Sequence, residues 1–459
     1  MPTYIIALVL ISIAMAYFFL ARRFHRNTPT RFYHSRPHYS GFFAALISVI
    51  PSAFILISLS VLDDLIFRSL ALDFVPTEVS EDENYKSIIA IAQIENVVAG
   101  LNFGDQPKWV AEAAAAWAKW IGISQLIKTV FSISVALVAG FYALTKIGPA
   151  FRSRNAVETI ILGFMAASSA IAIFTTVGII FSVVFESFRF FALVPVGEFL
   201  LGLTWNPQFE GAERAGSGQM GLATYGSVPL FVGTFLISAI ALMVSVPVGL
   251  FSAIYLAEYA SQKSRSIIKP ALEILAGIPT VVYGFFAALV VAPFVRSVGL
   301  NIGLDVASES ALAAGLVMGI MIIPFVSSLS DDVINAVPQS LRDAAYGLGS
   351  TKSETICKVV LPAALPGVAA SILLAVSRAV GETMIVVMAA GLAANLSINP
   401  LEAVTTVTSQ IVTILVGDQE FESAKTLSAF ALALTLIIIT LGLNFISLQI
   451  VKKYREQYD

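Results

Sequence analysis

The chain has 459 residues, of which 57% are hydrophobic and only 12% are Asp, Glu, Lys or Arg. Soluble domains carry about 25% charged residues, so this composition indicates a polytopic membrane protein and excludes a disordered chain. The net charge of −3 and the single cysteine, Cys357, exclude a nucleic-acid binder and a disulfide scaffold.

Nine apolar stretches are long enough to cross a bilayer as helices, which takes about 20 residues each. In chain order they are about 4–21, 40–62, 124–145, 157–185, 228–257, 271–295, 310–328, 367–392 and 426–450. The sixth is the weakest, because Pro279 and several glycines interrupt it. The sequence therefore predicts an all-α polytopic membrane protein with about nine transmembrane helices.

The spans divide into two predicted parts. Residues 1–150 are predicted to form an N-terminal three-helix membrane extension with an external acidic segment at 63–123, and 155–459 a six-helix transmembrane domain. Within the external segment, the amphipathic stretch Lys108–Trp120 has two open interpretations. It is either a helix at the membrane interface, where Trp is favoured, or a packed helix within a solvated loop.

The distribution of Lys and Arg predicts the orientation. With the N-terminus outside, the inside segments hold 17 basic residues and the outside segments hold 8. Basic residues favour the cytoplasmic side, so the N-terminus is predicted to be periplasmic and the C-terminus cytoplasmic.

Enzyme chemistry is not indicated. No Gly-Lys dipeptide occurs, so the chain has no nucleotide-binding P-loop, and no His-Glu-x-x-His motif occurs either. A membrane-embedded enzyme would need convergent nucleophiles, metal ligands or paired aspartates within the spans, and none is evident. We expect no catalytic residue, no metal site and no cofactor on this chain.

One predicted cytoplasmic loop, about 338–362, is too regular for a connector. Its pattern predicts two short helical pieces around glycines, the first with small alanines and the second with a polar N-cap region. An apolar face at helical spacing, Ile356, Val359 and Val360, is suited to a groove on a partner. Pro362 and Pro366 then mark the start of the next span.

The eighth span carries two charges about a dozen residues into the apolar stretch. Arg378 and Glu382 are four residues apart, which places them on one face of a continuous helix. Charges at that depth normally face a bundle interior or a substrate path, and Arg is suited to bidentate binding of oxyanions. The alternative is a purely structural Arg–Glu pair.

The loop at 338–362 closely resembles the cytoplasmic loop of ABC-importer permeases, E-A-A-x3-G-x9-I-x-L-P. Asp343 replaces the Glu and Val359 replaces the Ile. The matching positions, at unchanged spacing, are Ala344, Ala345, Gly349, Leu361 and Pro362. The resemblance implies that this loop docks on a separate ATPase subunit, which agrees with the missing P-loop.

Three further segments resemble the PstC type of phosphate-specific ABC permease. They are Arg378-Ala-x-Gly-Glu382-Thr in the eighth span, Glu273 to Phe286 around Pro279, and the external Trp205-Asn206-Pro207. The resemblance covers roughly 160–450. It implies alternating access, with Arg378 offsetting the charge of phosphate and Glu382 holding Arg378 in place.

The same resemblance implies the partners. They would be a second permease subunit (PstA-like), an ATPase dimer (PstB-like) and a periplasmic phosphate-binding protein (PstS-like), in a bacterial inner membrane. The alternative is an ABC permease for another oxyanion or a phosphonate, which would differ mainly around Arg378. A regulatory role for 63–123 remains compatible with transport.

Overall fold

The computed structural model describes residues 3–26, 34–76, 85–101, 107–207, 223–416 and 423–454. Apart from the antiparallel pair β1 (Trp205–Asn206) and β2 (Thr224–Tyr225), the regular structure of these residues is helical. Nine of the helical segments described are long and apolar enough to cross a membrane. The predicted fold class is confirmed.

The helices extend beyond most of the predicted spans. Their bounds are α1 Thr3–Arg26, α2 Pro37–Leu72, α3 Tyr85–Val98, α4 Lys108–Lys146, α5 Ser153–Leu193, α6 Val196–Leu201, α7 Val228–Ile254, α8 Gln262–Ala276, α9 Thr280–Phe286, α10 Ala292–Asn301, α11 Ala311–Ala336, α12 Gln339–Gly347, α13 Lys352–Thr355, α14 Leu361–Val380, α15 Met384–Ala389, α16 Val407–Val416 and α17 Ala424–Tyr454. Five-residue π-helical turns at Tyr255–Tyr259, Ala287–Val291 and Ile356–Val360 continue α7, α9 and α13.

The chain divides into two compact units, Met1–Phe174 and Thr175–Asp459, with the division inside α5. In the first unit, α1, α2 and α4 pack together. The 36 residues of α2 and the 39 of α4 give lengths of about 54 and 58 Å, well beyond a hydrocarbon core of about 30 Å. Both helices therefore continue past the bilayer.

Beyond the predicted spans, α2 and α4 pack with α3 around a small apolar core that includes Phe67, Ile94 and Trp117. The stretch Lys108–Trp120 is thus the first part of α4, packed within this core and continuous with the third span. Neither interpretation included this continuity with the third span. The acidic run at 81–83 lies outside the described residues.

In the second unit, α7 and α11 form the centre of the core. Their backbones approach closely at two glycines of α11: a Cβ at Gly315 would lie 2.7 Å from Ile240, and one at Gly319 would lie 2.9 Å from the carbonyl oxygen of Ala241. Such small-residue spacing is typical of tightly crossing membrane helices. This pairing positions the loop at 338–362, which follows α11 in the chain, and α14, which carries Arg378 and packs on α11.

Two predicted spans were wrong in their bounds. The stretch 271–295 is broken, because α8 ends at Ala276 and α9 begins at Thr280, after Gly277 and Pro279. Proline has no N–H to continue the helical ladder and is tolerated in the first turn of a new helix. The stretch 367–392 is also broken, because α14 ends at Val380 and α15 begins only at Met384.

Candidate functional site

The loop at 338–362 folds as two short helical pieces, α12 and α13, as its pattern predicts. They are joined through Gly349, whose φ of +87° lies in the left-handed region that glycine adopts without strain. Thr351 and Glu354 form a reciprocal capping box at the start of α13. We call residues 339–355 the docking segment.

The docking segment exposes one face and buries the other. Asp343, Ala344 and Gly349 are exposed, and Leu348 keeps 89% of its surface. Ala345 is buried. The exposed face therefore carries a carboxylate, a small side chain and one large apolar side chain.

The expectation for the apolar face of the second piece was wrong. Ile356 and Val360 are buried within this chain, and Val360 packs with Ile334 and Ala364. That face is part of the protein's own core and cannot enter a partner's groove. Pro362 is exposed and lies in the first turn of α14, as predicted. The apolar helical segment nevertheless begins earlier, at Lys352, because α13, the π turn and α14 are continuous.

Arg342 fastens the docking segment to the two helices beneath it. Its guanidinium donates to Glu258 Oε1 at 2.8 Å and to the carbonyl oxygens of Ile334 and Val337 at the end of α11. The side chains of Arg342 and Glu258 are only 9% and 8% exposed. The interaction is a buried, charge-assisted clamp.

Arg378 lines a cavity of about 320 Å³ between α8, α11 and the end of α14. The other charged side chains on its wall are Lys269, Glu273 and Asp331. The guanidinium of Arg378 makes no ion pair with any residue that the structure describes. It therefore keeps its donors available for an anion in the cavity.

Arg378 and Glu382 do not share a helix face, so that premise of the sequence argument was wrong. The helix ends at Val380, Gly381 is its C-cap, and Glu382 lies in the break before α15. Glu382 is buried, at 9% exposure, while Arg378 is exposed to the cavity. No ion pair joins the two residues in the part of the chain that the structure describes.

The break at Glu382 is held by a buried hydroxyl-rich segment before and within α16. Thr408 Oγ1 donates to the carbonyl oxygen of Glu382 at 2.7 Å, and Thr406 Oγ1 lies 3.0 Å from Thr408 Oγ1. These bonds satisfy a carbonyl that the end of the helix leaves without an intrahelical partner. The break is thus a built feature of the fold.

A second cavity, of about 480 Å³, lies beyond the opposite end of α11, with Arg296, Ser308 and Glu309 on its wall. Met388 and Ala389 of α15 also line this second cavity. Helix α9 packs closely on α15, because a Cβ on Gly284 would lie only 2.7 Å from Met388 Sδ.

The wall of the Arg378 cavity ends in a cluster of ion pairs around Asp331, whose side chain is 1% exposed. Arg265 Nη2 and Lys269 Nζ donate to it at 2.9 and 3.0 Å, and Asn335 Nδ2 donates at 2.8 Å. The hydrogen bond to Asp331 raises the pKa of Lys269 above its ordinary value, so Lys269 is charged at neutral pH.

Comparison with known proteins places this geometry in a family. Residues 245–456 match the family described as binding-protein-dependent transport system inner membrane component, and 4–175 match one described as phosphate ATP-binding cassette transporter. The probable ABC transporter permease YqgH of Bacillus subtilis is 32% identical over 292 residues, covering 63% of this chain and 86% of that protein. The chain belongs to the binding-protein-dependent permeases of ABC importers.

Other relatives agree. The phosphate transport system permease protein PstC of Mesorhizobium japonicum is 32% identical, covering 53% of this chain and 76% of its own length. The protein of the same name from Haemophilus influenzae is 31% identical, covering 57% and 82%. Among solved structures, a chain of the MetNI methionine ABC transporter aligns at 18% identity over 50% of this chain and 95% of its own, with a TM-score of 0.36.

As a member of this family, the permease is a multi-pass inner-membrane protein and a non-catalytic subunit, as predicted. A binding-protein-dependent system also includes an ATPase and a binding protein. The sequence argument missed the clamp of Arg342, although this arginine directly precedes Asp343 in the motif. It also missed the cluster around Asp331, since the neighbouring Asp331 and Asp332 carry no sign of their distant partners on α8.

Trp205, in the segment that resembles PstC, also has a defined place in the permease. Its side chain is buried, and its indole N–H donates to Gln410 Oε1 at 3.1 Å. Gln410 Nε2 in turn donates to the carbonyl oxygen of Leu392. Trp205 thus ties the short strand pair to α16 and has a structural part within this chain.

Proposed function

We propose that the permease imports inorganic phosphate, with Arg378 and Glu382 in the substrate path. The proposed ATPase contact is the docking segment together with Leu361 and Pro362. The observation that carries the proposal is the Arg378 guanidinium, which lines a cavity without an ion-pair partner among the described residues. A fork of N–H donors matches the oxygen geometry of phosphate. The phosphate permeases among the relatives support this choice of oxyanion.

The proposed ATPase contact comprises the six matched positions Asp343, Ala344, Ala345, Gly349, Leu361 and Pro362. Only some can touch a partner directly, because Ala345 is buried and Leu361 is half-buried. Those two act by shaping the exposed face. Closure of the ATPase then moves the docking segment, and the Arg342–Glu258 pair carries that movement to α7 and α11.

The proposed assembly contains a PstA-like second permease, a PstB-like ATPase dimer and a PstS-like periplasmic binding protein. The N-terminus is periplasmic and the C-terminus cytoplasmic in this proposal. Residues 155–459 form the transport domain and 1–150 an extension that anchors or regulates it. No cofactor is needed on the permease itself.

The deciding experiment reconstitutes the permease with those partners in proteoliposomes and measures ATP-driven uptake of radiolabelled phosphate. We expect uptake that requires the binding protein, ATP and Arg378. Sulfate and methylphosphonate are the competing substrates. Uptake of either one with no uptake of phosphate would assign the importer to another oxyanion, and Arg378→Gln should abolish transport in that case too.

A further inference from the structure

We propose that Lys269 is a second oxyanion-binding residue in the Arg378 cavity, and that Asp331 is the carboxylate that competes the anion off it. This inference rests on the proposed function, because it needs an oxyanion at Arg378. It adds a release step at the end of the cavity nearest the docking segment.

The packing of α11 against α14 shows how far apart Arg378 and Lys269 lie along the helix axes. Ser330 Oγ and Ser371 Oγ lie 3.0 Å apart, so these positions are level. Arg378 is seven residues beyond Ser371 along α14, which corresponds to about 10 Å of helix. Asp331 and Lys269 are level with the serine pair. An anion moving from Arg378 toward the docking segment therefore reaches Lys269 next.

The ammonium of Lys269 has a hydrogen-bond donor available for an anion. It carries three N–H donors, one of which is given to Asp331 at 3.0 Å. A second contact, at 3.4 Å, is to Asp332, whose side chain is 64% exposed and is therefore screened by water and salt. Lys269 also lines the cavity and its side chain is 32% exposed, which makes it accessible to an oxyanion.

Charge at this end of the cavity favours an anion. Asp331 is the buried carboxylate of the cluster, and it faces two cations, Arg265 and Lys269. Lys269 also contacts Asp332 at 3.4 Å, but Asp332 is 64% exposed and solvent screens its charge. The attraction between Lys269 and an anion is therefore opposed mainly by Asp331, which Lys269 shares with Arg265. Glu273 on the same wall is a second carboxylate, which limits how tightly an anion is held.

Asp331 is built to stay in place when Lys269 turns to an anion. Arg265 and Asn335 also hold its carboxylate, at 2.9 and 2.8 Å, independently of Lys269. The ammonium can therefore exchange Asp331 for an oxyanion and return. Conduction requires sites that bind an ion and also let it leave. A fixed carboxylate that competes for Lys269 lets the anion leave.

The experiment measures the Kd of radiolabelled phosphate by equilibrium dialysis on the purified complex of both permeases and the ATPase in detergent. The binding protein is left out because it binds phosphate itself. Lys269→Gln removes a charge-assisted contact and should raise the Kd about tenfold. Asp331→Asn removes the competitor and should lower the Kd and slow phosphate release. The matched control is Lys263→Gln on the same helix, because Lys263 is exposed and forms no ion pair with a described residue. That variant should leave the Kd within twofold of wild type.

Opposite shifts of Kd in the two variants are the signature of competition. If Asp331 and Lys269 only hold α8 against α11, both changes should weaken binding alike, and the proposal is overturned. Should Asp331→Asn not insert, Lys269→Gln decides alone, since a Kd equal to that of Lys263→Gln overturns it. A wild-type transporter that binds and imports sulfate instead of phosphate would refute the proposed substrate, and the same three variants would then be measured with sulfate.

Discussion

Arg342 and Glu258 form a buried ion pair, with 2.8 Å between Nη2 and Oε1, that joins the docking segment to the π turn ending α7. The same guanidinium caps the carbonyl ends of α11. Three elements therefore meet at one side chain. A displacement of α12 is therefore expected to move the ends of α7 and α11, because Arg342 is buried and hydrogen-bonded to both.

Breaking this pair should destabilise the permease. Arg342→Met leaves Glu258 buried without its cation, and loss of one partner of a buried pair costs about 3–5 kcal/mol. We expect a lower unfolding temperature in detergent. The double variant Arg342→Met with Glu258→Met should recover much of that loss, because apolar side chains of similar volume often replace a buried pair without cost.

The double variant also separates stability from coupling. It keeps the fold but has lost the charge-assisted bonds to α11, so ATP hydrolysis should continue while phosphate uptake per ATP falls. The measurement is the ratio of uptake to hydrolysis in proteoliposomes. A normal ratio would show that the pair only stabilises the fold.

The two alanines of the docking segment should respond differently to the same change. Ala344 is exposed, so Ala344→Glu should leave the unfolding temperature unchanged and oppose ATPase docking through charge and bulk. Ala345 is 6% exposed, so Ala345→Glu buries an unpaired carboxylate and should destabilise the permease itself. Co-purification of the ATPase and thermal unfolding together distinguish the two outcomes. Equal loss of stability in both would contradict the assigned faces.

Arg378 and Glu382 should behave as independent residues in a double-mutant cycle on stability. They form no ion pair, so the effects of Arg378→Gln and Glu382→Gln should add within about 0.5 kcal/mol. Transport should fall to background in Arg378→Gln and stay there in the double variant, because the cavity still lacks its cation. Restored uptake in the double variant would show instead that the two residues act as a structural pair.

Much of the fold was predictable because each span is longer and more apolar than a soluble helix, a signal that is local in sequence. The docking segment was predictable for a similar reason: Gly349 and the Thr351–Glu354 capping box act over a few residues. The break at Gly381 was missed. The carbonyl oxygen of Glu382, at this break, accepts a hydrogen bond from Thr408, 26 residues further along the chain. In the local sequence, Gly381 is the one helix-breaking residue.

The sequence also could not predict what covers an apolar helix face or which distant residues form ion pairs. Helical spacing showed that Ile356 and Val360 share an apolar side, but it could not show whether a partner or the chain's own core covers it. The pair of Arg342 with Glu258 spans 84 residues, and that of Lys269 with Asp331 spans 62. Such contacts follow from the packing of helices and leave no periodic trace in one sequence.

The orientation gives a labelling prediction. Ile302 lies in a predicted periplasmic loop, and its side chain is 67% exposed. The test variant is Ile302→Cys in a Cys357→Ser background. It should react with an impermeant thiol reagent added to intact spheroplasts. Lys263→Cys, in a predicted cytoplasmic segment, should react only after lysis. Labelling of Lys263→Cys before lysis would reverse the proposed orientation.

The N-terminal unit has a buried ion pair of its own, between Asp63 of α2 and Lys128 of α4, whose side chains are 22% and 10% exposed. Ser124 Oγ donates to both carboxylate oxygens of Asp63, at 2.7 and 2.6 Å. Lys128→Met removes the cation, and among the residues that the structure describes only Ser124 then still binds the carboxylate. We expect a loss of about 3 kcal/mol, at the low end of the range for buried pairs because Asp63 retains some contact with solvent.

That loss should be reversed by Asp63→Asn in the Lys128→Met background, since the amide can still accept a hydrogen bond from Ser124 and carries no charge. The measurement is the rate of disulfide formation between cysteines placed on α2 and α4 in a Cys357→Ser background, which reports separation of these two helices directly. Lys119→Met is the matched control, because Lys119 is an exposed lysine of the same helix. If Lys128→Met and Lys119→Met give the same rate of disulfide formation, the Asp63–Lys128 pair does not hold α2 to α4.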